Sequence, residues 1–367
     1  MRFRQNGLHP GVLDATRLVT AGHLAEATAI LQRSLGIDAT APTPERGSPG
    51  GRTDAFRERF RPAPPMPPSE PAPPAAEPEG WPGAGEFLRR SYRNEAGICQ
   101  YRLYVPSGYR GEPAPLVVLL HGCKQSPEDF AAGTRMNAHA ERLGWLVAYP
   151  EQSSAANGSR CWNWFRPADQ QRGRGEPSLV AGITRQVMND FAIDPARVYV
   201  AGLSAGGAAA AIMGSAYPDL YAGVGIHSGL APGAAQDVLS AFAAMRHGGR
   251  VRPGPGGTPI LPMIVFHGDR DRTVNPQNAE MILAQAAAGI ELDKHVARGQ
   301  VPGGHAYTLT RYTDPSGRVL LESWLVHGAG HAWAGGSPEG SYTDPKGPDA
   351  TAEMFRFFSS HQQARLG

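Results

Sequence analysis

The stretch RVYVAGLSAGGAAAAIMG, Arg197 to Gly214, runs from a β-branched apolar segment through a glycine-flanked serine into an alanine-rich helix former. Gly202-Leu203-Ser204-Ala205-Gly206 fits G-x-S-x-G in the strand-to-helix context where that motif forms a nucleophile elbow. Such a turn is tight, so the residues two before and two after the serine must lack bulk, which Gly202 and Gly206 do. The serine hydroxyl is then held above a sheet at the positive end of a helix, where a developing oxyanion is favoured.

A strand feeding directly into a helix implies more of the same on either side, and the flanking sequence supplies it. Apolar runs predict strands at 100–105, 115–120, 145–149, 198–201, 222–226, 260–266 and 320–326, with helices over 127–143, 178–191, 205–217, 234–245, 275–288 and 349–360. Short apolar strands alternating with helices predict an α/β fold: a mostly parallel sheet with helices on both faces and chemistry at the carboxyl ends of the strands.

A serine needs a base, and the base an orienting acid; in the α/β-hydrolase fold they follow in the order serine, acid, histidine. The strand ending in FHGDRDRTV, Phe266 to Val274, offers Asp271 as the acid with Asp269 as the alternative, and His267 as a turn residue packed beneath the loop. Twelve histidines are present, and His331 stands in a glycine-rich loop after the last predicted strand, VHGAGHAW. It is the candidate base, with His327 at the strand end as its competitor. The run LVVLLHGCKQS places His121 and Gly122 at the end of an early strand, so the second oxyanion donor is assigned to the N–H of Cys123, paired with that of Ala205. His121 itself reads as a buried histidine that holds this loop by hydrogen bonds. His327 and His331 lack a helix to set them on one face and no H-E-x-x-H occurs, so no metal site is expected.

The 367 residues carry a formal charge of +2, with 41% hydrophobic and 19% charged residues, enough for a full-sized core and without the basic footprint of a nucleic-acid binder. Arginines cluster at 166–174 and 246–252, and both clusters read as solvated loops. Residues 1–38 have helical periodicity and predict a small hairpin, either a cap on the main domain or a docking element for a partner or surface. Residues 39–86, rich in proline, glycine and alanine, read as a disordered linker, and 87–367 as the catalytic domain. With no uninterrupted apolar segment near the start and no run of about 18 apolar residues, neither a secretion signal nor a membrane span is expected, which reads as cytoplasmic.

The segments LLHGCKQSPEDF, WLVAYPEQ, CWNWF, AGLSAGGAAAA, FHGDRDRTVNP and GAGHAWAGG, in this order between about Tyr92 and Phe358, together resemble the polyhydroxybutyrate depolymerase family of esterases, whose relatives include feruloyl and acetylxylan esterases. The resemblance implies an α/β-hydrolase fold and a serine esterase needing no cofactor. Its substrates would be poly(3-hydroxybutyrate) or hydroxyalkanoate oligomers, or alternatively feruloyl or acetylxylan esters. It implies Ser204 as nucleophile, Asp271 as acid, His331 as base and Cys123 on the oxyanion loop, and it suggests a disulfide between Cys123 and Cys161. Extracellular location is the alternative that it brings. Trp162, Trp164 and Phe165 in one loop, with Trp333 two residues after the base, are the candidate substrate-binding aromatics. A reading of another class is a granule- or partner-binding protein anchored by the N-terminal hairpin, its hydrolase domain vestigial.

Overall fold

The strand that ends at the elbow, Ile193–Leu203, lies in the middle of a sheet in the computed structural model, which describes residues 60–62, 85–249 and 261–363. In chain order the strands are β1 (Phe60–Pro62), β2 (Glu86–Asn94), β3 (Gly97–Val105), β4 (Ala114–Leu120), β5 (Leu146–Glu151), β6 (Ile193–Leu203), β7 (Gly223–His227), β8 (Met263–Gly268), β9 (Leu292–Gln300), β10 (Ala306–Thr313) and β11 (Val319–Val326). Among the described residues they form one sheet in the order β1-β9-β10-β11-β8-β7-β6-β4-β5-β3-β2. The run from β11 to β5 is parallel, while β2–β3–β5 and β9–β10–β11 are antiparallel flanks.

The parallel strands are buried on both faces, and their alternate residues enter different cores. Leu116, Val118 and Leu120 of β4 pack with Val198 and Val200 against α3 (Gly175–Asp190) and α4 (Ala205–Ala216). Val117 and Leu119 face the other way, with Tyr199, onto α1 (Pro127–Thr134), α2 (Met136–Leu143) and α7 (Ala350–Ser359). Helices α5 (Val238–His247) and α6 (Gln277–Ala286) complete the first layer.

Four expectations change, the first being that β2 precedes the earliest strand expected, at 100–105. The helix predicted over 127–143 is two, because Arg135 takes a left-handed conformation (φ 54°) between α1 and α2. Its guanidinium reaches the Gly335 carbonyl at 2.9 Å and Asp349 at 3.1 Å, contacts that a straight helix would not aim. The β9–β10 hairpin was not expected; β9 is half-polar along its length, LDKHVARGQ, and shows neither a buried run nor a clean apolar alternation. Within the expected linker, Phe60–Pro62 pairs in parallel with Leu292–Lys294 at one sheet edge. The expected N-terminal hairpin and the rest of that linker up to 84 lie outside the described residues. Among the described residues no helix is long and apolar enough to cross a membrane.

Candidate active site

Ser204 stands between β6 and α4 with φ 59° and ψ −120°, a backbone state that side chains other than glycine rarely adopt. Its N–H donates to the His227 carbonyl at 2.8 Å, which fixes the turn to β7. The two glycines are required by close approach: a Cβ on Gly202 would run into the Gly206 backbone and the Leu120 carbonyl, and one on Gly206 into the Leu120 and His121 carbonyls.

The loop after β8 and the loop after β11 bring the acid and the histidine to this serine. His331 Nδ1 donates to Asp271 Oδ2 at 2.7 Å, and since a carboxylate only accepts, Nε2 is left with its lone pair toward the Ser204 hydroxyl, 2.8 Å away. Asp271 Oδ1 accepts the N–H groups of Thr273 and Val274, both at 2.8 Å. Burial pushes this carboxyl up, but bonds from His267, His331 and the Val274 N–H outweigh it and hold Asp271 well below the usual carboxylate range. His267, buried beneath the loop, donates from Nε2 to the Val274 carbonyl at 2.8 Å and lies 3.4 Å from Asp271. The two alternatives pair with each other instead: His327 Nδ1 donates to Asp269 Oδ2 at 2.9 Å, and Asp269 Oδ1 accepts the Gly328 N–H. Asp269 thus braces the start of the histidine loop.

The loop after β4 is tied at almost every N–H. Gly122 donates to Gln125 Oε1 (2.9 Å), Lys124 to the Ser159 carbonyl (2.8 Å) and Gln125 to the Gly122 carbonyl (3.3 Å). Cys123 lies between these tied positions and lines the cavity, as does Ala205 in the first turn of α4, where backbone donors lack intrahelical acceptors. His121 is 1% exposed, accepts the Gln152 N–H at Nε2 and donates from Nδ1 to the Gly122 carbonyl; burial lowers its pKa to about 4, so it stays neutral. A disulfide joins Cys123 to Cys161. Cys99, the remaining cysteine, is buried in β3 and its thiol is pushed up to about 12 by burial.

Ser204, His331, Cys123 and Ala205 open onto a cavity of about 650 Å³. Trp164 and Phe165 border it, but Trp162 and Trp333 do not, which corrects their expected role. Trp162 is 2% exposed, and its indole N–H donates to the His121 carbonyl, 3.1 Å away under the loop after β4. Trp333 is fully buried, donating to Thr351 Oγ1 and stacked 5.2 Å from His227. That contact helps keep His227 dry: burial first, then the charges of His267 and His331, lowers its pKa to about 3.

Sequence reasoning missed the opposite wall, Val238, Phe242 and Met245 of α5 with Leu230, whose amphipathic spacing looks like that of any covering helix. Arg246, expected in a solvated loop, closes the last turn of α5 at the cavity edge. The Asn275 N–H donates to the Met245 carbonyl (2.7 Å) and its side-chain amide to that of Arg246 (3.0 Å), binding α5 to the acid loop. Among the described residues no cluster of His, Cys, Asp and Glu is arranged to hold a metal ion.

Comparison with known proteins agrees with this architecture. The family model described as esterase PHB depolymerase matches residues 99–296. Poly(3-hydroxyalkanoate) depolymerase C of Paucimonas lemoignei is 32% identical over 66% of this chain and 60% of its own length; feruloyl esterase B of Neurospora crassa is 31% identical over 65% of this chain and 84% of its own. The chain thus spans only about 60% of the first of these relatives. The acetyl xylan esterase from Aspergillus awamori shares the fold, with a TM-score of 0.59 at 19% identity over 75% of this chain and 100% of that one. By the family-model match and these relatives, the chain belongs to the esterase PHB depolymerase family.

Proposed function

We propose that the protein is a serine esterase that hydrolyses carboxylic esters through an acyl-enzyme on Ser204. The observation that carries this is the continuous chain from the Ser204 hydroxyl through His331 to a buried Asp271 on the edge of a cavity. His331 takes the hydroxyl proton as Ser204 attacks the ester carbonyl, and Asp271 holds the imidazole and stabilises its charged form. The N–H groups of Cys123 and Ala205 bind the oxyanion, and His331 returns the proton to the leaving alcohol. Water then repeats the sequence on the acyl-enzyme, releasing the acid. Ser204→Ala should abolish turnover of p-nitrophenyl butyrate while leaving the circular-dichroism spectrum unchanged; retained turnover would refute the reading.

The preferred substrates in this proposal are hydroxyalkanoate oligomers or poly(3-hydroxybutyrate), supported by the apolar α5 wall and by the depolymerase among the relatives. A feruloyl ester is the second reading, favoured by the feruloyl esterase that matches over most of its own length. Hydroxybutyrate release from oligomers against ferulate release from methyl ferulate separates the two. The cystine beside the oxyanion loop supports an oxidising compartment. Thiol titration of protein from its native source, denatured under alkylating conditions, should then find one free thiol per chain; three would place it in a reducing compartment.

A further inference from the structure

Apart from His331, the charged residues bordering the cavity are Lys124, Arg246 and Arg272, and among the described lining residues there is no aspartate or glutamate. No ion pair joins Arg246 or Arg272 to a described residue, as Arg90, Arg102, Arg172, Arg197 and Arg356 are joined to carboxylates, and both are exposed. Asp271, the neighbour of Arg272 in sequence, does not neutralise it: its side chain is fully buried and its oxygens are taken up by His331, Thr273 and Val274. The Asn275 bonds hold the α5 terminus that carries Arg246 against the loop that carries Arg272, and both residues border the same cavity. Beside them α5 offers Val238, Phe242 and Met245. A ligand that suits this surface has an aliphatic body and an anionic end, and a guanidinium recognises a carboxylate by paired, charge-assisted hydrogen bonds.

We propose that Arg246 and Arg272 select esters carrying a free carboxylate near the scissile bond, such as the acid end of a short hydroxyalkanoate oligomer. This rests on the esterase reading above and narrows its substrate class. A short oligomer presents a carboxylate within a few residues of each ester, whereas a long polymer presents one per chain, so the pair favours oligomers over polymer.

The test compares the linear 3-hydroxybutyrate trimer as free acid with the same trimer ending in a neutral carboxamide, with p-nitrophenyl butyrate as a reporter of the Ser204 chemistry. The free acid should be cleaved with a kcat/KM about tenfold higher at low salt, the ratio shrinking as ionic strength rises. The Arg246→Gln, Arg272→Gln double variant should bring the ratio close to one, and Arg272→Lys should give an intermediate ratio, because an ammonium keeps the charge and loses the paired hydrogen bonds. A ratio near one in the unmodified protein, a ratio that survives the double variant, or cleavage of p-nitrophenyl butyrate with neither trimer cleaved would each overturn the proposal. Failure to cleave p-nitrophenyl butyrate at all would instead overturn the esterase reading on which it stands.

Discussion

Ser204 takes a positive-φ backbone state that costs on the order of 1–3 kcal/mol, and its N–H bond to the His227 carbonyl helps hold it there, while Gly202 and Gly206 leave room for the close approach of the turn. Asp271 shows how far one carboxylate can be specialised. It orients His331 through one oxygen and its own loop through the other. Asp271→Asn should therefore lower kcat on p-nitrophenyl butyrate by about 10³- to 10⁴-fold, because an amide can hold the imidazole in the wrong tautomer; the initial-rate assay measures it. The tryptophans divide by environment. Trp333→Ala removes a buried ring and should cost about 3–5 kcal/mol in urea unfolding, whereas Trp164→Ala, at the cavity border, should act on KM for long acyl chains.

At the scale of elements, the disulfide ties the loop after β4 to the aromatic loop across a sequence separation of 38 residues. Loop-closure entropy makes that link worth about 3–4 kcal/mol, so the Cys123→Ser, Cys161→Ser double variant should melt well below the parent by calorimetry. The loop has a second fastening. Buried Glu176 accepts the Asn163 N–H at 2.7 Å and the side-chain amides of Asn163 and Gln152. How much of this was legible in the sequence follows the same division. The turns that carry Ser204 and Asp271 stood out in the sequence because close approach of backbone demands residues without a side chain at set offsets, as at Gly202, Gly206 and Gly268. Trp162 and Trp333 were misread because an indole near a reacting group in sequence says nothing about where its N–H finds an acceptor. The β9–β10 hairpin escaped because its half-exposed strands carry charges where a buried strand would carry valine, and Arg135 because its kink is set by Gly335 and Asp349, 200 and 214 residues away.

Across the whole molecule, neutral buried histidines set the acid limit of stability. His121 and His227 have pKa values lowered from 6.5 to about 4 and about 3, so below pH 6.5 the unfolded chain takes up protons that the folded chain refuses. Stability then falls as pH drops from about 6.5 toward 4. Glu176 opposes them: burial and the nearby Asp169 raise it to about 7, so the folded state holds a proton that the unfolded chain gives up above its ordinary value. Two histidines outweigh one glutamate, and His361 is shifted in the same direction as the other two histidines. Urea unfolding between about pH 5 and 7 should show stability rising with pH, and His227→Gln should flatten the slope by about one proton. Asn275 adds a property of another kind. It binds the end of α5 to the loop that carries Asp271, so the apolar cavity wall and the carboxylate bonded to His331 are joined by hydrogen bonds. The two share one anchorage, so Asn275→Ala is expected to disturb both at once, changing KM for long acyl chains and kcat on p-nitrophenyl butyrate in the same variant.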